Sequence, residues 1–166
     1  MKGIKFMVLV GGLAGIAAFF LPLVAVQKSG VEGALSAYRI VVGIQEAQQV
    51  VSGAAGQGVG AADIAEANKA LGGIKGIVLG IFAPAALLLV LGLTGVARKK
   101  FGRVAGVFSL LLGLLGLGIA AILLSAAKEA GGSSGDVAGA GMYVMLAAAG
   151  LGALGGLMAL FKPDRG

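Results

Sequence analysis

The chain has no cysteine, no histidine and no tryptophan. Without cysteine there is no disulfide framework and no thiolate metal site. Without histidine it lacks the commonest metal ligand and the commonest general base near neutral pH. Without tryptophan the aromatic residues that could mark membrane interfaces reduce to phenylalanine and tyrosine, among them Phe6, Phe19, Phe20, Phe101, Tyr143 and Phe161. Charge is scarce as well. Only 12% of the residues are ionised, about half the share of an ordinary soluble domain. With no catalytic set, no paired carboxylates and no ligand cluster, the sequence offers no catalytic, cofactor or metal residue, and we expect no enzyme.

What is present in excess is apolar length and glycine. Mean hydropathy is +1.03. Four stretches, 6–26, 77–97, 104–124 and 137–161, carry no ionisable residue in their interiors. Each matches the roughly 20 residues a helix needs to cross a hydrocarbon core of about 30 Å. They predict an all-α fold, a four-helix transmembrane bundle forming one domain over 1–166, with a long outer loop at 27–73. The amino terminus, Met1-Lys2-Gly3-Ile4-Lys5, resembles a secretory signal. Val24-Ala25-Val26 places valine where cleavage wants a small residue, so an uncleaved first helix is expected, ending at Pro22.

Basic residues divide unevenly between the two sides of such a bundle. One side holds Lys2, Lys5, Arg98, Lys99, Lys100, Arg103, Lys162 and Arg165 against Asp164 alone, a net +7 of the chain's +6. The other holds Lys28, Arg39, Lys69, Lys75 and Lys128 against six acids, a net −1. The positive-inside rule then puts both termini and the 98–103 connection in the cytoplasm. Arg98, Lys99, Lys100 and Arg103 also suit contact with anionic lipid headgroups. The excess of charge therefore reports topology, and no nucleic-acid partner is expected. Richness in Ala, Gly, Leu and Val suits a bacterial inner membrane.

The outer loop is too long to be structureless in a compact protein. Glu32, Ser36, Arg39 and Glu46 form a polar stripe, with Val31, Leu35, Tyr38, Val41 and Val42 opposite, which predicts an amphipathic helix. Its wide apolar side must lie on lipid, on the bundle or on a partner. Val31, Leu35, Tyr38, Arg39 and Val42 are the partner-binding candidates, because aromatic residues and arginine dominate interface energetics. Ser52-Gly53-Ala54-Ala55-Gly56-Gln57-Gly58-Val59-Gly60 reads as a linker. Helix resumes near Ala61, with Asp63 and Glu66 placed where the helix dipole favours acids. Pro84 predicts a bend in the second span. Thr94, Ser109 and Ser125 are expected to satisfy their hydroxyls on carbonyls one turn back. Residues 126–136 read as a flexible outer loop.

Lipid removes the hydrophobic drive between helices, so association rests on close packing at small residues. Glycines number 32. Gly11 and Gly15, Gly76 and Gly80, Gly106, and Gly152 and Gly156 are the expected helix-packing positions. No ionisable residue stands at the middle of a span, which argues against an ion-coupled carrier. Four spans with a large first outer loop resemble the topology of claudins. The tryptophan and two cysteines of the claudin loop have no counterpart here, so the resemblance implies topology alone. The expected function is that of a non-catalytic accessory or scaffold subunit of a larger membrane complex. The alternatives are a self-associating tetraspan protein forming a pore, barrier or array, and a facilitator for a small neutral solute. The expected partners are membrane lipids and other membrane subunits, or further copies of the chain.

Overall fold

The computed structural model describes residues 3–28, 31–54, 60–98, 100–131 and 138–162. The order of elements is α1 (Ile4–Phe20), β1 (Pro22–Lys28), β2 (Val31–Ser36), α2 (Ala37–Gly53), α3 (Ala61–Ala97), α4 (Arg103–Gly131) and α5 (Ala140–Phe161). The protein is predominantly helical. α3, α4 and α5 are long and apolar enough to cross a membrane. α1 is equally apolar but has 17 residues, about 25 Å of helix.

The helix of the first apolar stretch stops short of Val26. Proline has no N–H, and it drives the residue before it out of the helical region. Leu21, just before Pro22, is extended at φ −76° and ψ 152°. The chain then runs on as a strand rich in valine. β1 and β2 pair antiparallel from Pro22↔Ser36 to Lys28↔Val31, with an irregularity at Leu23. The chain is helical as expected, and this short hairpin corrects only the expectation of helix from Val31. Val31 and Leu35 belong to a strand, so they share no helix face with Tyr38 and Val42. The helix starts only after Ser36, whose side-chain oxygen accepts from the Arg39 N–H at 3.3 Å, an N-cap worth about 1 kcal/mol.

α3 is one uninterrupted helix of 37 residues, about 55 Å long. Helix continues without a break through Gly72-Gly73 and Pro84, and its first 16 residues precede the apolar stretch 77–97. α2 lies antiparallel on that first portion. The Gln48 side chain donates to the Asn68 carbonyl and the Asn68 side chain to Ser52, both at 3.4 Å. Ala37, at the other end of α2, is buried in the same apolar cluster as Phe82. The amphipathic loop helix thus covers itself on the bundle. α4 continues to Gly131, so the expected loop 126–136 is helical in its first half. Residues 132–137, the flexible part of that expectation, lie outside the described residues, as do Gly56 and Gly58 of the linker.

The four apolar helices pack as antiparallel neighbours in the order α3–α1–α5–α4, while α3 and α4 touch more sparsely. Contacts fix the directions: Lys5 lies by Gly95, Gly11 by Ala148, and Gly106 by Ala159. The start of α1, the end of α3, the start of α4 and the end of α5 therefore gather at one end of the bundle. The hairpin and α2 sit at the other. β1 is joined to the start of α5 by a bridge between Val24 and Ala138, and the Gly139 N–H donates to the Leu23 carbonyl at 2.7 Å.

Candidate functional site

Glycine sets how close the helices come. A Cβ built on Gly11 would stand 2.9 Å from the Ala148 carbonyl, and one on Gly15 2.5 Å from the Ala85 Cβ. On Gly106 it would stand 2.8 Å from the Ala159 Cβ, and on Gly152 2.6 Å from a Leu88 methyl. On Gly156 it would overlap the Leu110 backbone nitrogen. These five expected positions face neighbouring helices. Gly76 and Gly80 do not: among the described residues a Cβ on either meets no atom within 4 Å. Neither therefore packs against another described helix of this chain. Gly80 lies one turn before Pro84, whose missing N–H leaves the Gly80 carbonyl without its helical donor.

The spacing rule missed closer contacts. Gly12 abuts the backbone of Leu89, and Gly92 that of Leu9, a reciprocal pair that locks α1 to α3. Gly113, which does share the four-residue spacing with Ser109, abuts the Ala153 backbone. Gly12 is visible in sequence only as the neighbour of Gly11, and nothing local separates the helix face it occupies from the next.

One polar contact crosses this seam. Ser109 is fully buried, and its hydroxyl donates to the Gly152 carbonyl on α5 at 2.9 Å. Thr94 and Ser125 instead donate three residues back, to Leu91 and Ile122. The expectation for Ser109 is thus corrected: the missing Gly152 side chain brings a second helix's carbonyl into reach. Such bonds contribute about 0.6–2 kcal/mol in a bilayer. Ser109→Ala is expected to destabilise the bundle by that amount. Circular-dichroism melting in detergent measures it, and a midpoint equal to that of the parent would remove the bond from the account.

At the hairpin end stands an aromatic group. Phe19 meets Phe82 edge-on at 5.1 Å, Phe20 at 5.4 Å and Tyr38 at 6.3 Å, and Phe20 tilts over Tyr38 at 5.5 Å. Phe82 is buried, whereas Phe20 and Tyr38 keep about half their surface open, at 59% and 48%. Beside them Phe20, Pro22, Ala34, Ser36 and Arg39 line an open groove of about 230 Å³. Of the expected partner residues, Leu35, Tyr38 and Arg39 are exposed and Val42 is half-buried. The side chain of Val31 lies outside the described residues.

At the opposite end Arg98, Lys100 and Arg103 are exposed around the α3–α4 connection. Lys99 lies outside the described residues. Lys5 is buried there by Gly95, over which the Phe101 ring closes. Between these ends, the bundle centre holds a cavity of about 20 Å³ among Gly15, Pro84, Leu112, Gly116 and Met145. That is room for about one water, and the lining offers it no polar partners. Among the described residues no three acids, histidines or cysteines are grouped to hold a metal. Comparison with protein families, with curated proteins and with solved structures finds no match for this chain.

Proposed function

We propose that the protein is a non-catalytic membrane subunit, an accessory or scaffold within a larger complex. In this reading α1, α3, α4 and α5 all cross the bilayer, with both termini cytoplasmic, and composition favours a bacterial inner membrane. α1 packs antiparallel on α3 and α5 from Lys5 to Ala18, so it shares their depth. The gathering of Lys5, Arg98, Lys100, Arg103 and Lys162 at one end supports the orientation. A centre with space for about one water favours a bundle that holds shape over one that conducts.

The observation that carries the subunit reading is the outer patch. Phe20, Tyr38 and Arg39 stand exposed together where the hairpin and α2 leave the bundle. This is the aromatic-plus-arginine composition that anchors protein interfaces. The partner is another integral membrane protein meeting this patch at the outer surface. Native-mass measurement of complexes extracted from native membranes in mild detergent tests it. A defined heteromeric assembly is expected, weakened about tenfold or more by Tyr38→Ala with Arg39→Ala. A pure homo-oligomer would replace this reading with a self-associating tetraspan protein. Retention of every partner by the double variant would move the interface elsewhere.

A further inference from the structure

At the basic end a groove of about 470 Å³ lies between α3, α4 and their short connection. Leu91 and Thr94 line it from α3, and Ala105 and Phe108 from α4. Phe101, fully buried, closes its base, while Phe108 leaves 55% of its surface open. Arg98 and Lys100 line the same groove at the helix ends, and both are exposed.

Among the described residues no acid lies at the end that carries Arg98 and Lys100. Glu32, Glu46, Asp63, Glu66 and Glu129 belong to β2, α2, the start of α3 and the end of α4, all at the far end of the bundle. An occupant must therefore combine an anion with an apolar body. A free phosphate would satisfy only Arg98 and Lys100 and leave the aromatic and aliphatic wall in contact with water. An uncharged acyl chain would satisfy only the wall. An anionic phospholipid does both: arginine and lysine take its phosphate, and the interhelical surface takes the upper part of an acyl chain.

We propose that the α3–α4 groove binds one anionic diacyl phospholipid from the leaflet at the basic end of the bundle. The site rests on the bilayer placement proposed above but not on the accessory-subunit reading.

The test uses the full chain in zwitterionic detergent. It is titrated with phosphatidylglycerol or phosphatidylcholine, and bound lipids are counted by native mass spectrometry. The parent is expected to hold a single phosphatidylglycerol about thirtyfold more tightly than phosphatidylcholine, the preference two basic side chains near an anionic lipid supply. Arg98→Gln with Lys100→Gln should erase the preference. Thr94→Trp, which fills the groove from an exposed position without changing charge, should weaken phosphatidylglycerol by about tenfold. Lys162→Gln, exposed at the same end but outside the groove, should leave binding within about twofold. Equal retention of both lipids by the parent overturns the site. So does a loss in Lys162→Gln as large as in the double variant, since that is diffuse surface attraction. Competition by millimolar inorganic phosphate would reduce it to a bare anion site. A chain that fails to float with phosphatidylglycerol vesicles overturns the bilayer placement and this site with it, whereas absence of a heteromeric complex bears only on the subunit reading.

Discussion

Gly156→Leu is expected to lower the thermal midpoint in mild detergent by about 10 °C, whereas Gly80→Leu should shift it by less than about 2 °C. The two substitutions add the same side chain to an apolar helix and differ in what it meets. At Gly156 the new Cβ overlaps the Leu110 nitrogen and stands 2.7 Å from the Gly106 carbonyl. Both are backbone atoms, so no rotamer change relieves the clash. Either α4 moves away from α5 along its length, or the helix distorts. Overpacking of this kind costs about 3 kcal/mol or more, and separation of the helices would break the Ser109–Gly152 bond as well. At Gly80 the side chain enters open space, and the better helix propensity of leucine contributes up to about 1 kcal/mol in the other direction. Far-ultraviolet circular dichroism is the suitable probe, because the chain has no tryptophan or cysteine to report optically. Equal midpoints for the two variants would mean that α4 and α5 do not meet at Gly156.

The second large effect is local. Gly139→Val is expected to detach the hairpin while leaving the helices in place. A side chain there would run into the Pro22 carbonyl and stand 2.9 Å from the Leu23 carbonyl carbon. The 2.7 Å bond from Gly139 to Leu23 would break, and with it the Val24–Ala138 bridge. A two-stranded hairpin without support is marginal in water. Amide exchange in β1 and β2, and tryptic cleavage after Lys28, should each accelerate about tenfold with helical content unchanged. Gly33→Val, on β2 where an added Cβ meets no described atom within 4 Å, should change neither. Protection of the hairpin in Gly139→Val would show that its anchorage lies elsewhere.

Much of the architecture was legible because apolar length is a one-dimensional property. α3 and α4 cover the stretches 77–97 and 104–124, and α5 covers 140–161 of the last one. The restart at Ala61 follows from its linker and first-turn acids. The hairpin was not legible from the periodicity used. Residues 31–46 contain polar side chains at helical spacing, and that pattern outweighed four local signals. Pro22 stops a helix. Val24 and Val26 favour a strand. Ser36 is a good N-cap, and Ser29-Gly30, between the paired Lys28 and Val31, is a turn-forming dipeptide. The glycine ridges were legible as a class but not residue by residue. A four-residue spacing marks a helix face without saying what that face meets, so Gly80 looked like Gly156. Ser109 looked like Ser125 for the same reason, since a hydroxyl accepts whichever carbonyl the packing brings near.

Composition alone set the apolar stretches, the sparse chemistry and the polarity of charge along the chain, because these depend on which residues occur and in what order. Pairing was a different matter. The order α3–α1–α5–α4, the open α3–α4 groove, the buried Gly12–Leu89 and Gly113–Ala153 contacts and the docking of α2 on α3 depend on rotations and depths of whole helices. Helices this uniformly apolar present similar surfaces all round, so their partners are decided only where backbones meet within van der Waals distance in three dimensions.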